Sequence, residues 1–360
     1  MYHGASSRGK RAKSRSTIGP LLPSRFHAGD FLSILFIFCL LAAAVIPIDL
    51  RAQCCSAGSG SPIAGGSSQG VLSEHQLELS VNFQYINSSR FLAGSNSAPD
   101  FLDNFHSSYL YTRVAFGVTA DFTLSIESGY WPKKSQVGLN AIDTNATNGF
   151  GDLILFPRYD VINHTEENNR TELTIGLGYK IPLGSYTDSL RRVEPFSGEV
   201  YFQRMPLAVQ PSTGAHDVIF YGFFYRGFPD DNINFFSNLV YIKKGWNELG
   251  EKMGDYASIG LFANTLLFKT IGATLQVRGE WIDQMRINQA RLLYDYPNYD
   301  PEATGSKKVF VTPQLSYSFD GELLLYAMAE IPVYQYVNKS QIASQHQFTF
   351  GIAYRFYVVN

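Results

Sequence analysis

Cysteine is almost missing from this chain, with three in 360 residues, two of them neighbours. Cys39 falls within an N-terminal apolar run. The remaining pair, Cys54 and Cys55, cannot supply the four or so ligands of a structural zinc site. No metal and no cofactor is expected. Long apolar stretches are missing too: after residue 70 none reaches the ~20 residues that a spanning helix needs, and helical periodicity is absent over the same region. Basic residues run short as well. Removing residues 1–52 takes seven of the 29 Lys and Arg and two of the 31 Asp and Glu, which leaves 22 against 29. A net charge near −7 excludes nucleic acid as a partner, because phosphate binding needs clustered cations.

The first fifty residues differ from the rest. Arg8, Lys10, Arg11, Lys13, Arg15 and Arg25 precede an apolar run from Phe31 to Ile46, and Ala52 follows. A basic region, a short apolar region and a small residue at the exit make a secretory signal with cleavage near Ala52. The run is too short for a retained spanning helix. The basic region is long for a signal, which points to a translation start downstream of Met1. Residues 53–74 then read as a Gly/Ser-rich periplasmic tail, since a tract such as Ser56–Gly70 is flexible. Its glycines follow no strand and open no helix, so they are no nucleotide loop.

From residue 75 to 360 the pattern changes to a period of two. Leu77, Leu79, Val81, Phe83 and Tyr85 alternate with Gln76, Glu78, Ser80, Asn82 and Gln84, and similar alternation recurs at 171–183 and 347–356. Alternation of this kind gives an extended chain one apolar and one wet face. Twelve such runs are expected: 75–85, 107–118, 120–131, 148–161, 170–183, 215–228, 233–246, 255–268, 270–281, 308–319, 321–333 and 344–357. Most exceed the ~9–11 residues that a tilted strand needs to cross a bilayer.

The connections alternate in length. Segments 86–106, 132–147, 184–214 and 282–307 are long, whereas Thr119, 229–232, Lys269 and Asp320 are minimal turns. Short turns on one side and long loops on the other characterise outer-membrane barrels. The fold class is therefore all-β: a transmembrane antiparallel up-and-down β-barrel of about 12 strands in the bacterial outer membrane. Its expected partners are outer-membrane lipid, the barrel-assembly machinery and a small-molecule solute. Aromatics near strand ends, among them Tyr109, Tyr111, Tyr130, Trp131, Trp246, Trp281, Tyr334 and Tyr336, read as interfacial girdles.

The last strand carries Gly351, Tyr354 and Phe356 at the spacing of the C-terminal assembly signal of bacterial outer-membrane proteins, which it resembles, although Tyr357–Asn360 follow here. Three internal stretches, Gly149-Phe150-Gly151-Asp152, Lys180-Ile181-Pro182-Leu183-Gly184 and Thr213-Gly214-Ala215-His216-Asp217, resemble in their order the outer-membrane transporters grouped as the phenol degradation meta-pathway family. Members of that family carry Gly-Ser where this chain has Ala215-His216. The resemblance implies a transport role. Gly149, Gly151, Gly184 and Gly214 have a structural reading as bends at strand ends, and Asp152 and Asp217 as rim groups that bond nearby backbone or loops.

With the apolar face on lipid, Glu78, Arg158, Lys180, Arg278, Glu280, Glu330 and Arg355 must face the lumen, because a charge on the lipid face costs ~2–4 kcal/mol near the midplane. They either brace the wall as ion pairs or set selectivity. Residues 218–228 and 233–241 carry aromatics on both faces, so some, Phe223 and Tyr225 foremost, line an apolar lumenal patch. Loop 184–214 is the natural segment to fold inward as a constriction. The chain thus reads as a pore or transporter for small hydrophobic or aromatic solutes rather than an enzyme. Two alternatives stand beside it: a purely structural barrel, and a membrane-embedded lipid hydrolase using His106 and Ser108, which share a strand face but lack a nameable orienting partner.

Overall fold

The computed structural model describes residues 70–141, 144–166, 169–194, 196–228, 232–267, 270–288, 300–319 and 321–358. The expected signal at 1–52, the tail as far as residue 69, and the turn residues Lys269 and Asp320 lie outside them.

Numbering only the barrel strands, these are β1 (Gln76–Ser88), β2 (Leu102–Thr119), β3 (Phe122–Gly138), β4 (Asn145–Phe150 and Leu153–Glu166), β5 (Asn169–Ile181) and β6 (Asp217–Phe228). Then follow β7 (Ile233–Lys243), β8 (Tyr256–Leu267), β9 (Ile271–Ile282), β10 (Ser306–Phe319), β11 (Leu323–Ile342) and β12 (Gln347–Tyr357). Each pairs antiparallel with the next, and β12 returns to β1 from Gln76↔Tyr357 to Ile86↔Gln347. The sheet is closed, which satisfies every edge in a solvent that offers no hydrogen bonds.

The alternation sorts the two faces as expected. On β1, Leu79, Val81, Phe83 and Tyr85 are exposed to the outside, while Glu78, Ser80, Asn82 and Gln84 are buried within. Phe220, Phe224, Phe235, Leu239, Ile259 and Leu261 continue the outer apolar belt.

Three strands run further outward than the alternation predicts. β2 starts at Leu102 instead of 107, β3 continues to Gly138 instead of 131, and β11 to Ile342 instead of 333. Beyond the bilayer both faces meet polar surroundings, so the chain stays paired without an alternating pattern. The upper part of β11 there leaves β12 and pairs with the loop strand Phe91–Gly94. On the opposite side of the membrane, the loop expected at 162–169 contracts, because β4 reaches Glu166 and β5 begins at Asn169.

Four details depart from the expected picture. Tyr109, Tyr111 and Trp131 do not join a girdle. Tyr111 is buried and donates to Glu127, and Tyr109 stacks on Trp131 at 4.0 Å inside the barrel. The polar tips of Tyr111 and Trp131 find partners inside, Glu127 and the Pro211 carbonyl, that lipid cannot offer. Gly149 and Gly214 take positive φ, but Gly151 and Gly184 do not; Gly184 serves instead as a close approach to the Phe150 carbonyl. Loop residues 205–212 lie within the mouth, while the tip of the loop, the hairpin Ser189–Val193 with Val200–Arg204, is mostly exposed. Finally, residues 70–72, expected in the periplasmic tail, sit inside the barrel wall.

Candidate functional site

The lumen has two unlike walls. Ile154 and Phe156 of β4, Ile219, Tyr221 and Phe223 of β6, Phe236, Val240 and Ile242 of β7 and Tyr256 of β8 form one buried apolar cluster. Phe156 meets Tyr221 edge-on at 5.5 Å, and Phe236 stacks on Phe262 at 4.3 Å. Rings this large fit a narrow lumen because the wall beside them is thinned. A side chain at Gly178 would press on Phe156, and one at Gly227 on Tyr225. Tyr225 is half-buried at the periplasmic end of this stripe and donates to Asn234 at 2.7 Å. Both aromatics expected in the lumen, Phe223 and Tyr225, thus belong to one stripe, together with Tyr221, Phe236 and Phe262.

The other wall is polar, and its charges are paired in tiers. Towards the periplasm, Glu78 of β1 lies between Arg113 of β2, at 2.5 Å, and Arg355 of β12, at 2.7 Å. Higher up, Arg278 of β9 bridges Glu280 at 2.7 Å and Glu330 of β11 at 3.0 Å, bonds the Tyr256 hydroxyl at 3.1 Å and lies over the Phe310 ring. Gln347 donates to the second oxygen of Glu330 at 2.5 Å. Each buried charge here meets an opposite one, the condition under which a low-dielectric interior tolerates it.

The third tier is the extracellular rim, where the three Gly-containing stretches meet. Lys180 binds Asp152 at 2.6 Å, Asp217 at 3.1 Å and the Thr213 hydroxyl at 2.9 Å; Lys244 reaches Asp217 at 3.2 Å. Asp217 also accepts from the Gly245 amide. One residue from each stretch therefore meets the others in a single cluster that pins both ends of loop 182–216. That geometry favours the structural reading of these stretches.

The same loop roofs the mouth. Met205 and Val209 pack against Phe91, Phe105 and Ile342. Trp131 donates to the Pro211 carbonyl at 3.0 Å, Lys134 to the Gln210 carbonyl at 2.8 Å, and Thr147 to the Val209 carbonyl. From outside, Arg204 grips Glu251 through two bonds of 2.6 and 3.0 Å. At the opposite end a cavity of about 210 Å³ opens among Asn264, Thr270, Gly272, Ser316, Glu322 and Arg355.

Arg158, Glu78, Lys180, Arg278, Glu280 and Glu330, expected in the lumen, are buried, and Arg355 is half-buried; Arg113, Glu127, Lys134 and Glu172, which were not expected there, are buried as well. Strand parity was the available signal: Arg113 falls between the outward Thr112 and Val114. His106 and Ser108 do come together, with Nε2 and Oγ 2.9 Å apart, beside the outward-facing Tyr85. Among the described residues no carboxylate or amide bonds the other ring nitrogen.

The fold is similar to the crystal structure of the COG4313 outer membrane channel from Pseudomonas putida F1, with a TM-score of 0.57 at 12% identity over 81% of this chain and 99% of that one. The TodX deltaS2S3 mutant monoaromatic hydrocarbon channel matches with a TM-score of 0.40 at 8% identity, over 78% of this chain and 90% of that one. The KdgM porin matches at 0.35 and 9%, over 77% and 99%. This chain has an outer-membrane barrel fold. No protein family and no curated protein matches its sequence.

Proposed function

We propose that the barrel is an outer-membrane pore for small solutes with an apolar or aromatic body. The carrying observation is the lumenal stripe of Phe156, Tyr221, Phe223, Phe236 and Phe262, aromatic surface turned away from lipid in a chain that already has lipid to cover its outer face. Binding sites for small molecules are mostly apolar with a few placed polar groups, and here the facing wall supplies those groups. Solute enters beneath the roof of residues 205–212, slides along the stripe and leaves by the periplasmic vestibule. The charge tiers at Glu78, Arg278 and Lys180 brace the wall, and Arg355, at the vestibule, is the one positioned to bias selectivity.

The resemblance of residues 149–152, 180–184 and 213–217 to transporters of the phenol degradation meta-pathway family supports the same class of solute. Outer-membrane lipid covers the apolar belt, and the end of β12, with Gly351, Tyr354 and Phe356, is the segment offered to the assembly machinery.

The test is uptake by proteoliposomes holding the purified barrel. Cresol or benzyl alcohol should enter faster than a sugar of equal size, relative to protein-free vesicles. Equal acceleration of the sugar would remove the apolar preference, and acceleration of neither would remove the pore.

A further inference from the structure

Residues 70–72 enter the barrel from its periplasmic end and are held by three successive strands. Arg158 of β4 donates to the Gly70 carbonyl at 2.8 Å. Thr123 of β3 accepts the Leu72 amide at 2.7 Å, and the Glu172 carboxylate of β5 accepts the Val71 amide. All three wall side chains are at least nine-tenths buried. Each of these bonds is made to the main chain of the segment and none to a side chain.

The surroundings are cut to the same shape. A side chain at Gly70 would overlap the Glu172 carboxylate and stand 3.4 Å from the Phe223 ring. A side chain at Gly117 of β2 would overlap the Ser73 carbonyl, so the wall is hollowed where the segment turns in. Leu72 supplies an apolar anchor and is buried. The chain then reverses through Gln76 N to Ser73 O, at 3.0 Å, and His75 N to Gly117 O, at 2.8 Å, into β1.

We propose that Thr123, Arg158 and Glu172 form a lumenal receptor for a main-chain segment, and that residues 70–72 are its reversible occupant, a gate at the periplasmic end. The segment lies against Phe223, the neighbour of Tyr225 at the periplasmic end of the aromatic stripe, and therefore narrows the way out of it. The open vestibule sits across the lumen, on β8 to β12. Among the described residues, three hydrogen bonds to the wall and the buried Leu72 hold the segment 70–72, against eleven residue pairs for a neighbouring ladder such as β1 with β12. It is thus the part of the lumen that withdraws while the barrel stays intact. The inference rests on the pore reading above.

The test is a reversible lock. In a C54S/C55S background, Leu72→Cys and Thr123→Cys place two thiols where the Leu72 amide already meets the Thr123 side chain, and a disulfide forms there when the two Cα atoms lie within ~7 Å. Oxidation should cross-link the purified barrel, as seen by mass spectrometry of peptides, and hold conductance in planar bilayers at its lowest level. Reduction should restore excursions to a higher level. Gly70→Leu, whose side chain has no room beside Glu172, should show the higher level without any thiol chemistry, and Arg158→Lys less so. Failure to cross-link, or a reduced and an oxidised barrel that conduct alike, would overturn the gate and leave the pore standing. A barrel that conducts in neither state, with Gly70→Leu also silent, overturns both.

Discussion

Tyr326 of β11 reaches across β12 to donate its hydroxyl to Asn82 of β1, and its ring lies over Gly351. One side chain thereby staples the strands on either side of the closing strand, and only a residue without Cβ lets it pass. Gly351→Val should sharply lower the heat-modifiable, folded fraction on gels, and adding Tyr326→Ala should recover part of it. An undiminished folded fraction in Gly351→Val would remove the staple from the account. Replacing Tyr354 and Phe356 by Ser should abolish folding, whereas removal of Val358–Asn360 should be mild.

Arg278 offers a stability test, since it lies between the carboxylates of Glu280 and Glu330 and bonds both. Arg278→Ala leaves two buried acids facing each other. The expected loss is about 3–5 kcal/mol, the usual cost of orphaning one side of a buried pair. Urea unfolding in lipid vesicles measures it, and a loss below about 1 kcal/mol, the range of exposed pairs, would mean water reaches the cluster.

For the roof, Trp131→Ala combined with Lys134→Ala removes two of the donors that hold Gln210 and Pro211 to the wall. Mean conductance should rise, because a twelve-stranded lumen is wider than the filled eight-stranded type. Trimming the exposed hairpin tip at Phe196 should change it little. Equal effects from the two would show that residues 205–212 are not the obstruction.

Solute choice and hydrolysis are tested together. Phe223→Ala and Tyr225→Ala should slow entry of aromatic solutes more than of sugars, as apolar walls discriminate by desolvation. Ser108→Ala should leave both unchanged, and no fatty acid should be released from phospholipid by either protein. Calcium-stimulated release that vanishes in Ser108→Ala would instead make the His106 contact a working dyad.

A pH test concerns the extracellular loops. The Lys339 ammonium and the Glu302 amide bond the Asp300 carboxylate and hold it below its usual value near 3.8. A depressed acid stabilises the folded loop above its ordinary value, and that contribution fades as pH falls through the depressed one. Amide exchange of residues 300–305 should therefore be insensitive to pH from neutrality to about 5, once intrinsic chemistry is corrected, and rise only in stronger acid.

What the sequence disclosed follows the physics of the bilayer. Where lipid bathes one face, as from Leu79 to Tyr85, alternation is enforced and strand number, loop parity and inward charge can be read directly. Above the membrane that constraint lapses, so the outer ends of β2, β3 and β11 escaped notice. Contacts between distant segments were equally silent. Nothing local to Arg158 announces that a partner of it is the carbonyl of Gly70, and a Gly/Ser tract has no periodicity to betray that Gly70 at its end is seated in a wall. Tyr109 and Trp131 are a different case: aromatics serve an interface and an interior equally well, yet strand parity already turns both inward, Tyr109 with Tyr111 and Arg113, and Trp131 with Ser125 and Glu127.

Trp131, Lys134 and Thr147 hold the roof by three consecutive carbonyls, those of Pro211, Gln210 and Val209. A carbonyl is common to all amino acids, so the barrel addresses this loop by its trace and not by its letters. The exposed hairpin that projects from it is then free to change its chemistry without loosening the anchor. A cell-surface feature under pressure from phage or antibody can thus be rewritten while the passage beneath it keeps its shape.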